Sequence, residues 1–225
     1  MKNIAIISLG TGGTMGHMSL TTNLSKILAQ NNSKVYLFSE QDYSDFSNVD
    51  KKVINFVKIK KQKHSKTVGG CLCYKYKNKL MKTLIKKEIS AVIFSTFFDL
   101  EILEFCNKSK IKSILISYPL RDSHRKAIQL RKYYDYFDRV FSLKDLIDIE
   151  RVSNKEFIVS PFKTNTHLKK RTKPKLNNIL ITCGGGGRPS SKLFFKIIKQ
   201  IVQEVYRFYK SIKFTIITGN SNEGL

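Results

Sequence analysis

The sequence predicts an α/β fold, a doubly wound and mostly parallel sheet followed by an incomplete second α/β domain. Strand-sized apolar runs such as Ile4-Ala-Ile-Ile7 and Ala91-Val-Ile-Phe94 alternate with stretches of helical periodicity. The alternation starts almost at the first residue, and it restarts after a basic, proline-containing segment near position 170. Two strand-to-helix junctions are rich in glycine: Gly10-Thr-Gly-Gly-Thr-Met-Gly-His17 and Gly184–Gly187.

Asn3–Gly10 reads as a buried strand, and Met18–Gln30 as a helix with Leu20, Leu24, Ile27 and Leu28 on one face. Lys34–Glu40 and Val53–Ile59 read as the next strands. A loop containing Gly69-Gly70 precedes a lysine-rich helix over Tyr74–Glu88. Ala91–Thr96 is a strand, Asp99–Ser109 a helix and Lys112–Tyr118 a strand. Arg121–Tyr134 reads as helical, then Asp138–Leu143 and Lys155–Ser160 as short strands. These elements place a first domain over residues 1–161.

Residues 162–175 carry six Lys or Arg with Pro174 and almost nothing apolar, which marks a linker. From 176 to 225 the pattern repeats: strand Asn177–Cys183, the four glycines, an amphipathic helix over Ser190–Tyr209 and strand Lys213–Thr218. Phe194, Ile197, Ile198, Ile201, Val205 and Phe208 fall on one face of that helix. Roughly 50 residues are too few to complete an α/β domain, so this half is expected to stop at about two strands, to be completed by a partner, or to be a fragment of a longer gene product.

Forty-one Lys and Arg against 17 Asp and Glu give a formal charge of +24, a field that attracts polyanions. A lysine-rich compositional bias that is merely solvated explains much of it equally well. The stretch from Lys51 to Lys87 argues for more. It holds 13 lysines and no acid, interleaved with Phe56, Val57, Tyr74, Tyr76, Leu80 and Met81, the composition of a membrane-surface contact. No apolar run approaches the roughly 20 residues needed to span a bilayer, and no signal-peptide pattern follows Met1, so a cytoplasmic, peripheral location is expected. Cys71, Cys73, Cys106 and Cys183 do not have zinc-site spacing and read as reduced thiols; no metal is expected.

Glycine at a strand-to-helix junction lets the backbone turn sharply and bring amide N–H groups to a phosphate at a helix start. The first loop only partly matches the dinucleotide pattern: Gly10 and Gly12 fit, but Met15 stands at the third glycine position and Gly16 is one residue late. With Glu40 as a ribose-binding acid, an NAD(P)-dependent oxidoreductase is the alternative reading. A nucleic-acid-binding module driven by charge alone ranks last, because no recognition motif accompanies the charge.

Gly12-Gly13-Thr14-Met15-Gly16-His17 resembles the GGTGGH loop of the MurG-like glycosyltransferases, and Ile179–Gly187 resembles the glycine loop that opens their second domain. Tyr133–Val140 is similar to a segment late in their first domain. Met15 departs from the family glycine, and the later half of the second domain has no counterpart here. The resemblance implies a GT-B fold with a Rossmann-like acceptor-side domain. It also implies metal-independent, inverting transfer of a sugar, expected to be an N-acetylhexosamine, from a UDP-linked donor to a lipid-linked or glycan acceptor of the cell envelope. No cofactor is implied.

His17 would be the catalytic base, and Asp122 the candidate carboxylate beside it, although Asp99 and Asp122 both read first as helix N-caps. Gly12, Gly13, Thr14 and Gly16 would hold the acceptor or its phosphate. Gly184, Gly185, Gly186, Gly187 and Arg188 would hold the donor. The expected partners are a nucleotide-sugar, an anionic lipid-linked acceptor or membrane surface, and a second subunit completing the donor half.

Overall fold

The computed structural model describes residues 2–9, 15–40, 54–60, 62, 71–117, 132–143, 151, 153–159, 178–182 and 190–217. The chain divides into two compact units, one of Met1–Thr11 with Ser19–Thr164, the other of Gly12–Met18 with Asn165–Leu225.

The larger unit contains β1 (Lys2–Ser8), most of α1 (Met15–Gln30), β2 (Ser33–Ser39), β3 (Ile54–Lys58), β4 (Cys71–Leu72), α2 (Lys77–Lys86), β5 (Ala91–Ser95), β6 (Phe98–Asp99), α3 (Leu100–Lys108), β7 (Lys112–Ser117), β8 (Arg139–Leu143) and β9 (Glu156–Val159). Seven strands form one sheet in the order β3-β2-β1-β5-β7-β8-β9, and every pairing is parallel. The chain runs outward from β1 in one direction and from β5 in the other. The border between them is the switch point of a doubly wound sheet, where ligands bind in this class of fold.

A buried parallel sheet needs apolar residues on both faces, and the strands supply them. Ala5, Ile7, Leu9, Val92 and Phe94 pack with Leu80 and Leu84 of α2 and Ile102, Leu103 and Cys106 of α3. Alternation turns Ile6, Leu37 and Ile93, all buried, to the opposite face. The aromatic side of the core joins Phe98 edge-on to Phe137 and Tyr133, with centroids 5.1 Å and 5.5 Å apart.

Helix ends are marked by a residue type the sequence did not advertise. Asn32, Glu88 and Lys110 each lie two positions beyond a helix and take positive φ, at 58°, 50° and 58°. The left-handed residue that usually closes a helix is glycine, so these turns lacked their customary signal. Also unforeseen is the short parallel ladder of β4 with β6, which pairs Cys71 with Phe98 and Leu72 with Asp99.

The smaller unit contains β10 (Asn178–Thr182), α4 (Ser190–Phe208) and β11 (Lys213–Ile217), with β10 parallel to β11. Phe194, Ile198 and Val205 on α4 are half-buried, whereas Ile197, Ile201 and Phe208 of the expected apolar face are exposed. Two strands are too narrow to cover the stripe of a 19-residue helix. The expected linker, 162–175, lies outside the described residues.

Candidate functional site

The carboxyl edge of the large sheet is lined with hydroxyls. β1, β2, β5, β7 and β8 end on or next to Ser8, Ser39, Ser95, Ser117 and Ser142. Ser8 pairs with Ser39, and Ser117 with Ser142. Ser117 Oγ receives the Tyr134 hydroxyl at 2.9 Å, and Ser142 donates to the buried carboxylate of Glu156.

At this edge β1 continues through buried Leu9 towards the first glycine loop. Helix α1 starts at Met15, three residues earlier than the periodicity suggested, so Gly16 and His17 lie on its first turn. First-turn N–H groups have no intrahelical acceptor, so a glycine there costs little and an anion can be accommodated. Gly12, Gly13 and Thr14 lie outside the described residues, as do Asp122, Gly184, Gly185, Gly186, Gly187 and Arg188.

Asp99 is a helix cap. Its Oδ1 accepts the Ile102 N–H at 3.1 Å and its Oδ2 accepts the Tyr74 N–H at 2.6 Å, which leaves it a structural carboxylate. Glu40, the acid of the dinucleotide reading, is buried at the end of β2 and accepts the Gln62 N–H at 3.3 Å. Asp138 anchors the Tyr133–Val140 segment by accepting from Ser113 N at 2.9 Å and Lys112 Nζ at 2.8 Å. Burial alone would raise the Asp138 carboxyl, but these hydrogen bonds outweigh it and hold the group below its ordinary value.

Within the basic stretch the described residues include β3, β4 and α2. Tyr74 and Leu80, expected at a surface, are core residues at 1% and 2% exposure, because the helix needs apolar side chains against the sheet. Met81 is half-buried and Ile85 is 55% exposed. With Phe105, Asn78 and Lys82 they line a shallow cavity of about 410 Å³. On the other side of α2 a hollow of about 120 Å³ is lined by Lys58, Lys60, Lys79, Tyr74, Tyr76 and Thr83 among others. Among the described residues no carboxylate lines either cavity. Lys60 Nζ lies 4.6 Å over the Tyr76 ring, whereas Lys77 is committed to Glu101.

Among the described residues no three His, Cys, Asp or Glu side chains converge as a metal site, and no helix is long and apolar enough to cross a membrane. The Cys106 thiol is pushed up to about 12 by burial. Cys71 is raised too, by burial first and then by the nearby Asp99 carboxylate.

No family model matches the sequence, and no curated protein matches it. Solved structures do match in fold. MurG of Acinetobacter baumannii aligns at 11% identity with a TM-score of 0.56, covering 99% of this chain and 68% of that one. The glycotransferase of kitacinnamycin aligns at 13% identity and TM-score 0.58, covering 100% and 67%. The fold is that of the GT-B glycosyltransferases. The UDP-GlcNAc 2-epimerase of Methanocaldococcus jannaschii shares it, at 15% identity and TM-score 0.55, covering 96% of this chain and 65% of that one. The chain therefore spans about two thirds of the length of these GT-B proteins, and none of the three is an oxidoreductase.

Proposed function

We propose that this chain serves sugar transfer from a nucleotide-sugar donor, with residues 1–161 as the acceptor-side domain, 162–175 as linker and 176–225 as the start of the donor-side domain. The observation that carries the reading is the parallel seven-stranded sheet of GT-B type whose first strand leads through a glycine loop to His17 on the first turn of α1. In this reading His17 takes the proton from the attacking acceptor hydroxyl, with Asp122 orienting the ring. Gly12, Gly13, Thr14 and Gly16 supply backbone N–H groups to the acceptor. Gly184–Gly187 and Arg188 offset the charge of the leaving diphosphate, so transfer proceeds with inversion and without a metal.

The donor is read as UDP-linked, with an N-acetylhexosamine as its sugar. The acceptor is an anionic, lipid-linked molecule of the cell envelope. It is reached from the inner membrane face by the lysine-rich surface of α2, where Met81, Ile85 and Phe105 supply an apolar patch. A second polypeptide, or further chain, completes the donor half.

Titration calorimetry with UDP-GlcNAc and with NADH tests the class, saturable binding of the first alone being expected. Incubation with UDP-GlcNAc and a polyprenyl-diphosphate acceptor, followed by mass spectrometry, separates transfer from epimerisation of the sugar nucleotide. His17→Ala should abolish transfer with unchanged far-UV circular dichroism. Full activity in that variant would remove His17 as the base, and saturable NADH binding would replace the transferase reading by the oxidoreductase one.

A further inference from the structure

Two buried hydroxyls at the switch point of the sheet have no hydrogen-bond partner among the described residues: Ser8 Oγ and Ser95 Oγ. Ser8 is 0% exposed and Ser95 1%. They are neighbours, because Ile7 pairs with Phe94 and each serine is the next residue along its strand. Buried polar groups are almost always paired, so two adjacent exceptions call for a cause.

Topology says which face they occupy. Ile7 and Phe94 belong to the core shared with α2 and α3, and alternation turns Ser8 and Ser95 the other way. The β1–α1–β2 and β5–α3–β7 connections run in opposite directions along the sheet, so right-handed crossovers put α1 on the serine face. The buried hydroxyl of Ser25 on α1 donates to Thr21 O at 2.7 Å, so it is already occupied. Ser8 and Ser95 are not.

The backbone is strained at the same place. Thr96 follows Ser95 with φ 69°, an outlier for a β-branched residue, and Phe97 N–H closes a three-residue turn onto Ser95 O at 2.8 Å. Strain of this kind persists where the surroundings enforce it, and it gathers at ligand sites.

We infer that Ser8 and Ser95 are ligand-binding hydroxyls, held unpaired in the free chain for the non-bridging oxygens of a diphosphate ester. Both O–H groups donate to the phosphoryl oxygens when the ligand binds at the switch point. The inference rests on the proposed transferase reading for its ligand class. The diphosphate belongs either to the sugar nucleotide or to a prenyl-linked acceptor.

The test uses the full chain and Ser8→Ala, Ser95→Ala and the double variant. Melting is measured without ligand, and calorimetry is run with UDP-GlcNAc, a short-chain prenyl diphosphate and inorganic pyrophosphate. Removing an unsatisfied hydroxyl should leave the free protein as stable or raise its melting temperature by about 2–5 °C. Diphosphate affinity should fall about tenfold or more. Binding confined to the prenyl compound assigns the site to the acceptor, and binding confined to UDP-GlcNAc assigns it to the donor.

Variants that melt below the wild type, variants that bind as the wild type does, or a wild type that binds none of the three would overturn the inference. Transfer assays on the same proteins separate it from the functional reading. Active wild type with undiminished binding by the variants removes only the serine site. Lost diphosphate binding by the variants of an inactive wild type removes only the transferase assignment.

Discussion

The carboxylate of Asp99 binds the backbone of two segments at once, accepting the Tyr74 N–H at 2.6 Å through one oxygen and the Ile102 N–H at 3.1 Å through the other. Asp99 is 2% exposed, so neither N–H has water to fall back on if the side chain is lost. Asp99→Ala removes a helix cap and orphans a buried donor, and should cost about 2–4 kcal/mol in urea unfolding. Asp99→Asn keeps one accepting oxygen and sets an NH2 donor against the other N–H, so it should recover only part of that loss. Full stability in Asp99→Asn would mean that the second accepted N–H contributes nothing.

Tyr74 makes alkaline stability testable. Burial first, then the Glu40 carboxylate, raise its phenol from an ordinary 10.0 to about 12, and its hydroxyl donates to Lys60 O at 2.9 Å. The folded state therefore keeps the proton longer than the unfolded state. The resulting stability is complete below pH of about 10 and drains away as pH rises towards about 12. Unfolding free energies of the wild type and Tyr74→Phe should converge over that window. A constant difference would show that Tyr74 titrates normally.

The lysines of α2 give a prediction for the membrane side of the proposal. Lys79, Lys82 and Lys86 of α2 are exposed, and Lys82 lines the same cavity as Ile85. A basic residue near an anionic bilayer contributes about 1 kcal/mol. Replacing all three with Gln should lower partitioning onto phosphatidylglycerol vesicles by about two orders of magnitude at low salt, with no change on phosphatidylcholine. Sedimentation of vesicles reads this directly, and equal partitioning would leave the charge as mere solvation.

The sheet was legible because parallel strands buried on both faces show as unbroken apolar runs. Ala91–Ser95 and Lys112–Ser117 fall within a residue of the boundaries read from sequence. Helix ends were less so. The residues that close α1, α2 and α3 are Asn32, Glu88 and Lys110, and local sequence gives no reason to expect positive φ at a Glu or Lys.

Of the candidate site, spacing offered His17 and its glycines, whereas the adjacency of Ser8 and Ser95 was not legible, since a strand-terminal serine looks like any other until pairing register puts two of them side by side. Tyr74 and Leu80 were misread for a similar reason: their charged neighbours suggested a surface, whereas helical phase turns them inward.

The narrow second sheet has a consequence for how the molecule comes apart. Among the described residues β10 and β11 pair only with each other, and α4 leaves Leu193 and Phe208 at 62% and 78% exposure. Little apolar burial holds these three elements, while β1 and β5 lie at the centre of seven strands. Amide protons of Asn178–Thr182 and Lys213–Ile217 should exchange with solvent through frequent local opening, and those of Ala5–Ile7 and Val92–Phe94 only on global unfolding. Proteases would then nick β10, α4 and β11 first and leave the seven-stranded body as the resistant fragment.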